Sequence, residues 1–128
     1  MRSLLMAAAA MAATAPLALA GDYAGGAIKS METAEGEILT DAKGMTLYTF
    51  DKDTAGMSNC YDACATNWPP LVAADGAAAE GDYTLVTRKD GTMQWAYGGK
   101  PLYLWIKDKA PGDMTGDGVK GVWHVATE

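Results

Sequence analysis

Gly44-Met45-Thr46-Leu47-Tyr48-Thr49-Phe50, with Asp53 behind it, recurs 55 positions later as Gly99-Lys100-Pro101-Leu102-Tyr103-Leu104-Trp105, with Asp108 behind it. Extending the match backwards pairs Gly36 with Gly91, so each copy reads as Gly, a strand-like run, a short turn ending in Gly, a second strand, then Asp. A hairpin unit is used twice, over about 36–53 and 91–108. Asp and Gly in the turn Asp41-Ala42-Lys43-Gly44, and two glycines in Tyr97-Gly98-Gly99, suit the tight connections a hairpin needs. In the second copy Leu102, Leu104 and Ile106 alternate with Tyr103 and Trp105, so this strand is apolar on both faces and is expected to be covered on both.

Outward from the repeat, the first residues carry Arg2, an apolar run from Leu4 to Ala13 and the ending Ala18-Leu19-Ala20. This is the pattern of an export signal covering 1–20 and cleaved after Ala20. Removing 20 residues from 128 leaves 108, enough for one small domain with a modest core. Residues 21–26 are small and glycine-rich and are read as a flexible lead, and 27–128 as the β domain. The formal net charge of the whole chain is -6. Acidity of that size argues against nucleic acid and anionic lipid surfaces as partners, and no apolar segment after the signal is long enough to span a bilayer.

Between the copies lies Ser58-Asn59-Cys60-Tyr61-Asp62-Ala63-Cys64-Ala65-Thr66-Asn67-Trp68-Pro69-Pro70-Leu71. Ser58 or Asn59 is positioned to cap a short helix that the two prolines end by about Asn67. Cys60 and Cys64 are the chain's only cysteines, and an even pair at short spacing in an oxidising compartment is expected to be bridged. The alternative is a redox or copper site, since two thiolates on one helical face can hold a soft metal, with Met57 or His124 as a third ligand. Strand-like sequence resumes at Tyr83 to Arg88, and a last strand is expected from Val119 to Ala126. About seven short strands and one helical turn make a mainly β single domain.

Tyr-x-aromatic-x-x-Asp twice, Cys-x-x-x-Cys followed by Trp-Pro-Pro-Leu, and Pro-Gly-Asp-x-x-Gly before a terminal Trp together resemble the secreted-repeat family described as lipoproteins with a Yx(FWY)xxD motif. The resemblance implies a secreted or periplasmic location and assigns no chemistry. Its motif residues here are Tyr48, Phe50, Asp53, Tyr103, Trp105 and Asp108, with Cys60, Cys64, Trp68, Pro69 and Pro70 in the helical segment. The chain departs from the lipoprotein pattern in having no Cys at the cleavage point for lipid attachment.

Tyr48 with Asp53, or Tyr103 with Asp108, could cooperate in binding or proton transfer, although a strand Tyr normally buries its ring and an Asp past a strand end normally accepts turn N–H groups. Trp68, Trp95, Trp105 and Trp123 either build the small core or present a face for a flat ligand. Asp108, Asp113 and Asp117 sit in one glycine-rich loop, but not at EF-hand spacing. No nucleophile elbow or phosphate loop is present in the sequence. The expectation is therefore an exported, non-catalytic module that binds a partner or small ligand in the cell envelope through aromatic residues of the repeat, with no resident cofactor.

Overall fold

The computed structural model describes residues 19–128. The export-signal reading, placed on 1–20, lies outside the described residues except for its last two. The chain is mainly β, with eight short strands among the described residues arranged in three small sheets. The first sheet has the order β1 (Leu19–Tyr23), β2 (Ile28–Thr33), β3 (Gly36–Asp41), all antiparallel. The third is its counterpart from the second copy, β5 (Tyr83–Thr87), β6 (Met93–Tyr97) and β7 (Lys100–Pro101). Between them, β4 (Tyr48–Phe50) pairs with β8 (Trp123–Val125).

Turn chemistry sets the two hairpins. Gly36 at φ 106 closes the β2–β3 connection, where the Thr33 hydroxyl donates to the Gly36 carbonyl at 2.6 Å. After β3, Asp41 folds back on its own turn, accepting from the Lys43 and Met45 amides, each at 2.9 Å. Residues 21–26, expected to be flexible, instead form the end of β1 and a 3-10 turn over Ala24–Gly26. Gly21, Asp22 and Tyr23 pair with Ser30, Lys29 and Ile28, and the Tyr23 ring stacks on Tyr83 at 5.0 Å, which gives this glycine-rich stretch an anchor its composition does not advertise.

Past Leu47 the two copies interlock. The Leu47 amide donates to Leu39 of its own hairpin, but the Ala126 amide donates to Leu47 and the Leu39 amide donates to Ala126. The same bonds recur across the other copy, from Leu102 to Trp95, Leu71 to Leu102 and Trp95 to Leu71. Each copy's closing segment is thus laid into the other copy's hairpin. At the centre Tyr48 and Tyr103 exchange both backbone bonds, at 2.8 and 2.9 Å. This exchange limits regular pairing around Leu102 to Ile106, where a longer strand was expected; β7 stops at Pro101 and Tyr103 forms bridges to Tyr48 and Pro70. The last strand is likewise shorter than expected, because Val119–Gly121 winds into a 3-10 turn before β8.

Strand alternation divides the interior in two. Leu47 and Leu102 face a cluster with Ile28, Leu39, Tyr83 and Trp95, whereas their neighbours Tyr48 and Tyr103 face Cys60, Trp68 and Trp123. The first cluster is an ordinary small hydrophobic core. The second is almost wholly aromatic.

Candidate functional site

The aromatic half-core is built from the repeated positions. Trp68 and Trp123, 55 residues apart, stack on each other at 3.8 Å with planes 3° apart. Trp105 stacks on the outer face of Trp68 at 4.0 Å, and Phe50, the residue equivalent to Trp105, stacks on Trp123 at 4.2 Å. Four rings therefore form one column, Trp105, Trp68, Trp123, Phe50. Tyr48 meets Trp68 edge-on and Tyr103 meets Trp123 edge-on, each at 5.2 Å, an arrangement that suits the ring quadrupoles. Gly116 lies flat against the column, and a Cβ there would stand 2.7 Å from Trp68 Cη2 and 3.0 Å from Trp105 Cδ1. Trp95, grouped with these rings as a candidate binding residue, belongs to the other half-core and is buried there.

The motif Tyr and Asp do meet, but across the copies. The Tyr48 hydroxyl donates to Asp108 Oδ2 at 2.6 Å, and the Tyr103 hydroxyl donates to Asp53 Oδ2 at 2.7 Å. The pairing of Tyr48 with Asp53 and Tyr103 with Asp108 considered from the sequence is thereby corrected. Within a copy the strand-like run ends at the aromatic residue and the chain turns before Asp, the Asp53 amide donating to the Phe50 carbonyl and the Asp108 amide to the Trp105 carbonyl, each at 3.1 Å, while the interlock brings the other copy's Asp alongside each Tyr. The second carboxylate oxygen does what an Asp after a strand commonly does: Asp53 Oδ1 accepts from the Asn59 amide at 2.7 Å, and Asp108 Oδ1 from the Thr115 amide at 3.0 Å and its hydroxyl at 2.6 Å.

Each phenol oxygen also accepts a bond. Tyr48 receives the Gly116 amide at 3.2 Å. Tyr103 receives Ser58, whose oxygen is in turn given hydrogens by the Cys60 amide and by Arg88 Nη1 at 3.0 Å, so that the Ser58 hydroxyl is left to donate to Tyr103 at 2.6 Å. Arg88 is buried; its Nη1 also donates to Gln94 Oε1 and its Nη2 to the Cys60 carbonyl, both at 2.8 Å, and its guanidinium lies 4.3 Å from the Tyr61 ring centre. A single line of hydrogen bonds therefore runs from a buried cation through Ser58 and Tyr103 to a carboxylate. Burial pushes both phenols well above the ordinary tyrosine range, and bonding to Asp108 and Asp53 adds to the shift. Burial likewise raises the Asp53 carboxyl, against the lowering influence of Tyr103, Asn59 and Arg88.

The network roles of Ser58, Gln94 and Arg88 arise only from the tertiary structure. Ser58 or Asn59 is expected from position to cap the helix, yet the helix α1 spans Ala63–Asn67 and starts from Asp62 at φ 56 without a side-chain cap. Ser58 and Asn59 are held instead by the network around Tyr103 and Asp53. The one available signal was a charged residue, Arg88, following the apolar run Leu85-Val86 at the end of a strand.

Cys60, ahead of α1, and Cys64, within it, are joined as a disulfide. In that form neither sulfur is a thiolate, so the copper or redox alternative through Cys60, Cys64, Met57 and His124 gains no support from the site. Met57 is exposed, and His124 Nε2 pairs with Asp51 Oδ2 at 2.8 Å. Among the described residues no three His, Cys, Asp or Glu side chains converge on a point. The carboxylates of the glycine-rich loop are turned inward to the backbone: Asp113 accepts from the Lys109 and Ala110 amides, and Asp117 from the Val125 amide.

The column opens to solvent in a groove of about 380 Å³ along the edges of Phe50, Trp68 and Trp123, flanked by Lys52, Lys120 and Asn67. Lys120 is held at φ 53, a left-handed conformation that a non-glycine residue adopts at a cost of roughly 1–2 kcal/mol. Asp62, which leads into the groove wall at Ala63, is at φ 56.

The crossed pairing has a direct check. A double-mutant cycle with Tyr48→Phe and Asp108→Asn is expected to show coupling of about 1–2 kcal/mol in denaturant unfolding, and the cycle of Tyr48→Phe with Asp53→Asn less than about 0.5 kcal/mol. Equal coupling in both cycles would contradict the interlocked arrangement.

The family described as a secreted repeat of unknown function matches the chain twice, over residues 29–72 and 84–127. The two matches are offset by the spacing that relates Trp68 to Trp123 and Leu71 to Ala126. No curated protein matches the chain. No solved structure matches it either.

Proposed function

The chain belongs to the family of secreted repeats, and from that membership together with the open aromatic groove we propose that it is an exported, non-catalytic module of the cell envelope that binds a small, flat ligand carrying an acidic group. The observation that carries this reading is the groove at the edge of the column. Its size falls within the range of small-molecule sites, its floor is aromatic, and its two flanking charges are lysines on a chain of net charge -6. A flat apolar body would lie along Phe50 and Trp123, and an acidic substituent would meet Lys52 and Lys120. The left-handed Lys120 supports the same reading, since strain of this kind gathers at sites where a side chain must be aimed. The titratable side chains lining the groove are two lysines, and the lining carries no carboxylate or imidazole to activate them, which supports binding rather than turnover.

Titration with naphthalene sulfonate, followed by tryptophan fluorescence, is expected to saturate. Lys52→Ala and Lys120→Ala should each weaken it by about two- to fivefold, the effect of one exposed charge. Lys120→Gly should separate the two roles of that residue, weakening binding while raising stability by about 0.5–1 kcal/mol through relief of the left-handed backbone. Affinity unchanged in both lysine variants would remove the groove as the binding site.

A further inference from the structure

Stacking of this continuity exceeds what a small hydrophobic core requires, since aliphatic side chains or scattered edge-on rings would exclude water as well. The ends of the column differ chemically. One end is Trp105, half-buried; the other is Phe50, also half-buried, whose ring does not give up an electron under conditions that oxidise indole. Three indoles in contact, at 4.0 and 3.8 Å, thus run from the surface to the middle of the molecule. At the middle two of them each touch a phenol, and each phenol is bonded to a carboxylate at 2.6 or 2.7 Å.

We propose that Trp105, Trp68 and Trp123, with the crossed pairs Tyr48–Asp108 and Tyr103–Asp53, form a one-electron relay that carries oxidising equivalents from the surface to buried tyrosines. A radical oxidant takes one electron from Trp105 and is itself reduced to its anion. Electrons move outward along the column, so that the indole radical cation passes from Trp105 to Trp68 and Trp123. Tyr48 or Tyr103 then gives one electron to the adjoining indole and its hydroxyl proton to Asp108 or Asp53. The products are a neutral indole, a neutral tyrosyl radical and a protonated carboxyl, and charge is unchanged across the step. A thiolate reductant restores the phenol by supplying one electron and becoming a thiyl radical, while the carboxyl returns the proton.

The carboxylates are what make the phenols good donors. A phenol that loses an electron without losing its proton must become a cation in a buried site, at high desolvation cost, and an aligned base removes that cost. The hydrogen bond already in place requires no rearrangement at the moment of transfer. Burial raises the Asp53 carboxyl, which makes it a better proton acceptor than an exposed aspartate. The same burial keeps the resulting radical out of solvent. Both phenols stay protonated beforehand, as the step requires.

The relay is independent of the groove reading, because it requires no bound ligand. The test is pulse radiolysis of the full exported chain with azide radical, which oxidises indole, read by transient absorption of the tryptophan and tyrosyl radicals. The tryptophan signal is expected to decay as the tyrosyl signal grows, at a rate independent of protein concentration and slowed in deuterium oxide. In Tyr48→Phe/Tyr103→Phe, which keeps every ring contact, the tyrosyl growth should be lost and the tryptophan radical should persist. Trp105→Phe should lower the tyrosyl yield with the phenols intact. The proposal is overturned if tyrosyl growth survives unchanged in the double variant, because the radical would then reside on another tyrosine. It is also overturned if natively folded protein, verified by near-ultraviolet circular dichroism, shows no growth at all.

Discussion

Trp68→Ala is expected to lower the unfolding free energy by about 3–5 kcal/mol, the range for deleting a large buried ring. Trp68 is 4% exposed and touches three other rings, Trp123 at 3.8 Å, Trp105 at 4.0 Å and Tyr48 at 5.2 Å. Its loss opens a cavity on the line where the two copies meet, and the neighbours that could collapse into it are tied elsewhere: Trp123 belongs to β8, and Tyr48 exchanges backbone bonds with Tyr103. Phe50→Ala, at the half-buried end of the same column, should cost clearly less. Urea unfolding of the two variants against the natural chain checks the difference. Equal losses would mean that the column is not the element joining the copies, and a Trp68→Ala loss below about 1 kcal/mol would leave it without a stabilising role.

Arg88→Leu is expected to cost about 3–5 kcal/mol at neutral pH, as when one member of a buried charged network is removed. The Cys60 carbonyl and Gln94 Oε1 lose their charged donor, and Asp53 loses a positive charge that holds its carboxyl down. The pH dependence gives a second readout. Burial already raises the Asp53 carboxyl above its unfolded value, so in the folded chain this group holds its proton more tightly than in the unfolded one. A raised acid stabilises the fold at low pH and withdraws that stability as pH climbs from the ordinary carboxylate value of about 4 through the folded value. Without Arg88 the raised value moves further up. The penalty of the substitution should therefore be smaller near pH 4 than at neutrality, as measured by denaturant unfolding at both. A penalty independent of pH would show that Asp53 does not feel the guanidinium.

The relay and the stability of the column are linked through the same contacts but read by different experiments. Tyr48→Phe and Tyr103→Phe leave the rings in place and remove only hydroxyls, so radical transfer can be abolished while most of the packing survives. Each hydroxyl nevertheless leaves a carboxylate oxygen short of a donor, which is why the expected coupling energies are modest rather than zero.

Much of the fold was legible because its devices are local. The turn at Asp41 to Gly44, the glycines that end each hairpin, the bridged Cys60 and Cys64 and the 55-residue recurrence all depend on residue types a few positions apart, and the structure has them where the sequence places them. The helix that carries Cys64 and ends before the prolines was legible for the same reason, although its start was not, because Ser58 and Asn59 are drawn into bonds with Tyr103 of the other copy and with Asp53. A local rule for capping cannot anticipate a partner 45 residues away.

What only the tertiary structure decided is which copy completes which. Spacing alone makes Tyr48 and Asp53 neighbours in the chain, but a turn after Phe50 separates them; Leu71 and Ala126 crossing into opposite hairpins bring Asp108 to Tyr48 and Asp53 to Tyr103. The sequence by itself determined the inventory: two hairpin units, a bridged turn, four tryptophans and two Tyr-x-aromatic-x-x-Asp motifs. The column of rings, the buried line from Arg88 to Asp53 and the groove at Phe50 arise from the interlock, because burial, ring contact and hydrogen-bond direction depend on approaches between residues tens of positions apart, which periodicity and spacing do not encode.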